Sequence, residues 1–237
     1  MSCQKNCYNK IKSKISCPDN TRNNTPMVFN NQTDVYSNNK PRNTSKNAKE
    51  VTNGRGIYWG DTEDFCKSLV EPISVKIRYC DKYKTNDSGQ FIITDKNAIS
   101  DKIIKLTVNS AIKNKVISIF KDIYNERADI FTTNGHFIFI GDVGSFCYRG
   151  IKDKNGNEKT IEVNGKSYLN LSNHSYGIAI DICQCWANPY GKLKYKNNTD
   201  IHIVNNNHPV VQIFKKHGFG WGGSYEDYMH FSYLNGN

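Results

Sequence analysis

The pattern of apolar and polar positions divides the chain near residue 55. Residues 1–55 are rich in Asn, Lys, Ser and Thr. They contain few apolar residues, and these recur at no sustained period. Such a composition buries too little apolar surface to offset the entropy lost when a chain becomes ordered. We therefore predict an arm over residues 1–55, disordered or ordered by a partner, and one folded domain over residues 56–237.

Apolar spacing within the predicted domain indicates helices beside a few strands. Spacings of three, four and seven favour helices, whereas alternation or short apolar runs favour strands. The predicted helices cover 98–126 and a segment from Pro209 to Gly218, with a short helix opening at 61–64, and the predicted strands cover 75–79, 137–140 and 178–182. This order lacks a regular βαβ alternation and predicts an α+β fold. No apolar run reaches about 18 residues, so we expect no transmembrane helix.

Charge is concentrated in the predicted arm. Of the formal net charge of +10, residues 1–55 carry +7, from 7 Lys and 3 Arg against 2 Asp and 1 Glu. Two interpretations stay open: attraction to an anionic polymer such as teichoic acid or nucleic acid, or a solvated linker. The sequence contains no phosphate-binding loop and no nucleic-acid-binding module, so it does not favour nucleic acid as the partner.

The N-terminus and the cysteines bear on the cellular compartment in which the protein is expected. The N-terminus is basic but no apolar segment follows it, so we expect no secretory signal peptide. Without export, the eight cysteines are expected to be reduced. Cys183 and Cys185 would share one face of a strand. A second metal site or an intermolecular disulfide therefore stays open beside the interpretation that these thiols are incidental.

The most informative stretch covers residues 171–181. His174 and Asp181 are seven positions apart and would lie on opposite faces of a straight strand. They can converge only if the chain bends between them, and Gly177 permits such a backbone. A histidine and a carboxylate that converge are suitable ligands for zinc.

A second stretch, residues 218–231, is rich in glycine and ends with Asp227 and His230 three positions apart. Catalytic zinc takes three protein ligands and keeps one position for water, whose proton a nearby carboxylate can accept. His174, Asp181 and His230 are therefore the candidate zinc ligands, and Asp227 is the candidate base.

Each of these pieces carries little information when taken alone. A single histidine is more often a core or surface residue than a ligand, and a Gly-Gly pair usually marks only a turn. Ser172, His174 and Asp181 could also form a Ser-His-Asp set, but no nucleophile-elbow sequence surrounds the serine.

The two stretches together resemble the zinc D-alanyl-D-alanine carboxypeptidase and L-alanyl-D-glutamate endopeptidase family, which includes many phage endolysins. The resemblance covers about residues 105–233. It rests on Ser172-x-His174-x2-Gly177-x-Ala179-x-Asp181, then Asn188-Pro189-Tyr190, then Trp221-Gly222-Gly223 and Asp227-x2-His230-Phe231. The fold that it implies is a small antiparallel sheet with flanking helices, shared with the hedgehog signalling domain.

The resemblance also implies a role for each matching residue. His174, Asp181 and His230 resemble the zinc ligands, and Asp227 resembles the catalytic acid and base. Arg149 resembles an arginine that binds substrate or steadies the developing oxyanion, although the insertion-like stretch Lys152 to Lys166 separates it from the first motif. Ser232 departs from the pattern, because the family often has an acid at this position.

The function implied is that of a zinc metallopeptidase that cleaves stem peptides of bacterial peptidoglycan, as a phage endolysin or a virion tail-associated lysin. Residues 1–55 would bind an anionic wall polymer or tail proteins. The protein would stay in the host cytoplasm until lysis, or travel in the virion, and act at the cell wall. The alternative is a structural virion or wall-binding protein that keeps the fold without activity, which the complete set of candidate ligands and Asp227 disfavours.

Overall fold

The computed structural model describes residues 41–80, 83–85, 91–95, 97, 99–128, 132–133, 136–137, 143–153, 155–182, 206–225 and 227–234. The helices are α1 (Lys46–Glu50), α2 (Glu63–Ser68), α3 (Lys113–Asn125) and α4 (Pro209–Lys216), with 3₁₀ turns at Ser110–Ile112, Asn173–Tyr176 and Gly222–Tyr225. The strands are β1 (Pro41–Asn43), β2 (Ile57–Tyr58), β3 (Val70–Cys80), β4 (Tyr83–Thr85), β5 (Phe91–Ile93), β6 (Ile99–Asn109), β7 (Thr132–Thr133), β8 (His136–Phe137), β9 (Val143–Gly144), β10 (Thr160–Val163), β11 (Lys166–Leu169), β12 (Ala179–Ile182), β13 (Gly220–Trp221) and β14 (His230–Ser232). Helices beside small antiparallel sheets agree with the predicted α+β class.

Four strands form an antiparallel sheet with the order β13-β14-β12-β9, which we call the central sheet. In its register Asp181 of β12 faces His230 of β14 on one side and Gly144 of β9 on the other. Residues 179–182 are buried, as the predicted strand over 178–182 requires. Of the strand predicted over 137–140, the structure describes only Phe137, at the end of β8, and the other residues lie outside the described part.

The long hairpin of β3 and β6 occupies part of the segment that was predicted to be a helix over residues 98–126. Its register runs from the pair Val70 and Asn109 to the pair Cys80 and Ile99. The helix predicted over 98–126 is therefore wrong for residues 99–109 and confirmed for α3. Leu106 and Val108 alternate on the buried face of β6, whereas Ile103 is 62 % exposed. The spacing of three between Ile103 and Leu106 resembles a helical face, and only pairing with β3 shows that it is not one.

Local signals at the helix ends are confirmed. Thr62 caps α2, and its Oγ1 accepts a hydrogen bond from the backbone N–H of Phe65 at 3.2 Å. Pro209 opens α4, and its fixed φ suits the first helical position. After α4 the chain turns at Gly218 with φ +86°. Glycine adopts this left-handed conformation without strain, so α4 ends where the sequence predicts.

Aromatic side chains join α3 and α4 to the central sheet. The ring of Phe214 on α4 stacks on Phe231 of β14 with centroids 4.0 Å apart. The rings of Phe120 and Phe219 meet the Phe214 ring edge-on, with centroid-to-centroid distances of 6.5 Å and 5.6 Å. Such contacts combine apolar burial with favourable ring geometry. They hold β14 in place immediately after His230.

Residues 41–55 pack on the core, which differs from the arm expected over residues 1–55. β1 pairs with β2, and Ala48 and Val51 are fully buried. The amide of Asn109 donates to the carbonyl of Val51 at 2.8 Å, and the hydroxyl of Tyr233 donates to Glu50 at 2.9 Å. One buried residue on a short helix and one at its C-cap give no readable period, so only tertiary contacts reveal the packing. Residues 1–40 lie outside the described part, and for them the arm stays a prediction.

In the described part of the chain, no helix is both long and apolar enough to cross a bilayer.

Cys66 is a buried free thiol, and burial raises its pKa above the ordinary value. Cys147 is disulfide-bonded, so the expectation of reduced cysteines does not hold for this residue. Sulfur pairing depends on which atoms the fold brings together. Cys183 and Cys185 lie outside the described residues.

Candidate metal centre

A tight turn delivers His174 to the end of β12. Ser172 caps the 3₁₀ turn Asn173–Tyr176, and its Oγ accepts the N–H of His174 at 3.3 Å. Gly177 then adopts φ +66°. A Cβ atom at Gly177 would lie 2.6 Å from a side-chain carbon of Val70 and 2.8 Å from the backbone nitrogen of Asn109. Conformation and space both require glycine here, and the bend expected between His174 and Asp181 occurs at this residue.

The second and third candidate ligands come from neighbouring strands. Asp181 and His230 are direct partners in the β12–β14 register, so their side chains lie side by side on one face. One ligand atom from each of His174, Asp181 and His230 lies within 4.8 Å of the others. His174 and Asp181 are buried, and His230 is half-buried. The three side chains predicted to bind metal are therefore brought together.

The arrangement of donors and acceptors suits a cation. Nδ1 of His174 lies 2.6 Å from the carbonyl oxygen of Ser145 and donates its N–H there, which leaves a lone pair on Nε2. That Nε2 has no hydrogen-bond partner among the described residues. It faces Oδ2 of Asp181, another acceptor, at 3.2 Å. Two lone-pair atoms at this separation repel each other unless a proton or a metal ion lies between them.

The distances also fit the size of a zinc site. A tetrahedral zinc with bonds of about 2.0–2.1 Å has neighbouring ligand atoms about 3.3 Å apart. Nε2 of His174 lies 3.2 Å from Oδ2 of Asp181, which matches this spacing, and Nδ1 of His230 lies 2.9 Å from the other carboxylate oxygen, Oδ1, at hydrogen-bond distance. The residues present therefore fit a small divalent cation held by two imidazoles and one carboxylate.

Electrostatics keep the candidate ligand Asp181 ionised. Burial by itself would raise the pKa of Asp181, but the flanking imidazoles of His174 and His230 outweigh this effect. The pKa of this carboxyl is therefore held well below its usual range. An ionised carboxylate is the form that binds a metal ion.

Asp227 lies beside the three candidate ligands. Its backbone carbonyl accepts the N–H of His230 at 3.1 Å, and its own N–H donates to Gly222 at 3.0 Å. A Cβ atom at Gly222 would lie 2.4 Å from the carbonyl oxygen of Asp227, so the glycine allows this close approach. Burial raises the pKa of Asp227, and its Oδ1 has no hydrogen-bond partner among the described residues. Asp227 is half-buried, and a partly buried carboxylate with a raised pKa can accept and return a proton.

Arg149 lies next to the turn that carries His174. Its backbone N–H donates to Oγ of Ser175 at 2.9 Å, and Ser172 donates its N–H to the carbonyl of Arg149 at 3.0 Å. Among the groups that act on the pKa of Asp227, Arg149 has the smallest effect, and its positive charge opposes the rise. The stretch Lys152 to Lys166 does not separate Arg149 from the turn that carries His174, because this stretch folds back through the β10–β11 hairpin.

Several supporting residues had no signal in the sequence. Ser145 orients His174 through a backbone carbonyl, a contact that no residue type encodes. Asp61 accepts the hydroxyl of Tyr176 at 2.9 Å and forms an ion pair with Arg55 at 2.7 Å, which fixes the end of the 3₁₀ turn. Ser232, at the departure from the family pattern, accepts the amide of Asn173 at 2.8 Å.

Comparison with known proteins gives a match to a family model over part of the chain. A family model described as D-alanyl-D-alanine carboxypeptidase matches residues 165–233. The matched range contains His174, Asp181, Asp227 and His230 but not Arg149. No curated protein and no solved structure matches the chain. The family match supports a peptidase that acts on peptidoglycan peptides.

Proposed function

We propose that this protein is a zinc metallopeptidase that hydrolyses a peptide bond in the stem peptides of bacterial peptidoglycan. The observation that carries the proposal is the convergence of His174, Asp181 and His230, with lone-pair atoms of His174 and Asp181 facing each other, beside the half-buried carboxylate of Asp227. The family match over residues 165–233 supports the substrate class.

Each residue of the centre has a distinct part in this reaction. His174, Asp181 and His230 would hold a zinc ion, which would supply Lewis-acid polarisation of the scissile carbonyl and an activated water. Asp227 accepts the proton of the attacking water at its half-buried carboxylate and returns it to the leaving amine. Arg149 binds a substrate carboxylate or the negative charge that develops on the carbonyl oxygen.

The supporting contacts keep the centre ready for this chemistry. The Ser145 carbonyl holds the imidazole of His174 in the tautomer that leaves Nε2 available. The neighbouring imidazoles keep Asp181 ionised, whereas burial keeps the pKa of Asp227 raised. The two carboxylates therefore serve different purposes, one as a ligand and one as a proton carrier.

The biological setting that we propose is a phage endolysin or a virion tail-associated lysin. The support is the charge of +7 over residues 1–55, which suits an anionic wall polymer or an assembly partner. In this setting the protein stays in the host cytoplasm until lysis, or is carried in the virion, and acts at the bacterial wall. Whether it cuts L-Ala–D-Glu, D-Ala–D-Ala or a cross-bridge is the first question for experiment.

The test is cleavage of purified peptidoglycan, with the released fragments identified by mass spectrometry. We expect one defined peptide bond to be cut, activity to be lost with a chelator and restored by zinc, and about one zinc ion per chain by elemental analysis. His174→Ala should lose both zinc and cleavage. The control His217→Ala should keep both, because His217 pairs with Asp122 away from the cluster.

Two outcomes would contradict the proposal. Absence of bound transition metal after zinc has been supplied would remove the metal centre. Binding of whole walls by zinc-loaded protein without release of any fragment would favour the alternative, a structural or wall-binding protein that keeps the fold without activity.

A further inference from the structure

Ser175 lies between the candidate ligand His174 and the bend at Gly177, and the proposed reaction gives it no part. Its side chain is 0 % exposed, so it touches neither solvent nor substrate. Its hydroxyl accepts the backbone N–H of Arg149 at 2.9 Å. The same oxygen lies 2.9 Å from the carbonyl of Arg149 and 3.3 Å from that of Cys147, and its single proton favours the shorter contact.

The backbone around these contacts explains why a side chain is needed. Residues 143–150 run beside the segment that carries His174 and Asp181, and the two segments contact each other repeatedly. Gly144 pairs with Asp181, the N–H of Cys147 donates to the carbonyl of His174 at 3.2 Å, and Gly150 bridges to Leu171. The 3₁₀ turn interrupts this pairing. At Arg149 the hydroxyl of Ser175 takes the place that a backbone carbonyl holds in a regular ladder.

The direction of the Arg149 side chain depends on this backbone. Its guanidinium donates to the carbonyl of the adjacent residue, Gly150, at 3.3 Å. That contact is local and does not tie the charged group to the metal centre. Fixing the backbone of Arg149 against the ligand turn therefore sets the point from which its side chain starts relative to the metal centre.

We infer that Ser175 is a positioning residue that holds Arg149 in register with the metal centre, an inference that rests on the proposed function. The hydroxyl links the substrate-binding arginine to the same short turn that presents His174. Both parts of the centre then move together, and a shift of one relative to the other is prevented. Ser175 acts only through Arg149 and makes no contact with the reacting atoms.

The test is a double-mutant cycle between Ser175→Ala and Arg149→Ala, measured as kcat/KM on soluble muropeptides released from peptidoglycan by a muramidase. The matched control is Thr52→Val. Thr52 is 1 % exposed, and its hydroxyl also accepts a backbone N–H, from Gly56 at 2.7 Å, and donates to a carbonyl, that of Ala48 at 2.6 Å. Each substitution removes one buried hydroxyl and keeps the remaining shape of the side chain nearly unchanged.

We expect Ser175→Ala to keep its zinc and lower kcat/KM by between about 5-fold and about 100-fold, the range for loss of one buried hydrogen bond and for displacement of a catalytic group. In the Arg149→Ala background the same change should have no further effect, because the group that Ser175 positions is already absent. Thr52→Val should leave kcat/KM unchanged in both backgrounds.

A second readout does not depend on cleavage. In the Asp227→Ala background, binding of the muropeptides by titration calorimetry should weaken with Ser175→Ala only when Arg149 is present. If wild-type protein binds zinc and muropeptides but cuts nothing, the proposed function fails, while this comparison still decides the part of Ser175. The inference is overturned if Ser175→Ala has the same effect with and without Arg149. It is also overturned if the variant loses zinc or cooperative melting, because the hydroxyl would then support the ligand turn itself.

Discussion

Substitution of Gly177 by alanine tests the bend on which the metal centre depends. Gly177 has φ +66°, and an added Cβ would lie 2.6 Å from Val70 and 2.8 Å from the backbone nitrogen of Asn109. The neighbour at Asn109 is backbone of β6 and cannot rotate away. The same N–H donates to the carbonyl of Gly177 at 2.9 Å, so relief of the clash must weaken a contact that holds the turn.

The expected loss of stability in Gly177→Ala has two contributions. A left-handed conformation costs an alanine about 1–2 kcal/mol relative to glycine. Insertion of an extra carbon into packed surroundings costs about 1–3 kcal/mol. Gly177→Ala should therefore lower the free energy of unfolding by about 2–5 kcal/mol, a large share of the roughly 5–15 kcal/mol typical of a domain. Because the turn carries His174, zinc should also bind at least about 10-fold more weakly, the effect usual when ligand support is lost.

Gly165→Ala is the matched control, measured beside Gly177→Ala by urea unfolding and by zinc titration against a competing chelator. Gly165 has φ +73° in the turn between β10 and β11, and no heavy atom of the described structure lies within 4 Å of its added Cβ. It should therefore show only the conformational cost of about 1–2 kcal/mol and unchanged zinc affinity. Equal losses of stability in the two variants, or unchanged zinc affinity in Gly177→Ala, would refute the argument from close packing.

Three further predictions concern the base, a buried histidine and the N-terminal segment. Asp227→Ala should lower kcat by about 10²–10⁴-fold and keep its zinc by elemental analysis; loss of metal would make Asp227 a ligand. Burial lowers the pKa of His208 to about 4 from 6.5, so only the unfolded chain takes up this proton between those pH values. Stability should fall by about 3 kcal/mol as pH drops from 6.5 to 4 in denaturant titrations, and this fall should shrink in His208→Asn. A chain that begins at Gly56 lacks the buried Ala48 and Val51, and its free energy of unfolding should be about 2–4 kcal/mol lower than that of the full chain; equal stability would show that residues 41–55 contribute little.

The candidate site could be predicted in part because its signals are short-range. The need for a bend between His174 and Asp181 follows from strand geometry, and Gly177 is the residue that permits it. Asp227 and His230 are close in sequence, so one turn places both beside the same face. Arg149 had no such signal in its own residues and was identified through resemblance alone, because its relation to the site depends on a separate segment.

The sequence by itself determined the features that depend on neighbouring residues. The cap at Thr62, the start of α4 at Pro209 and the turn at Gly218 follow from local backbone preferences, which act whatever the rest of the chain does. The tertiary structure decided the features that depend on distant partners. Residues 99–109 form a strand because β3 pairs with them, and residues 41–55 join the core because Ala48 and Val51 meet apolar surface from elsewhere. The free lone pair on Nε2 of His174 likewise exists because the carbonyl of Ser145, far away in sequence, accepts the proton on the other ring nitrogen.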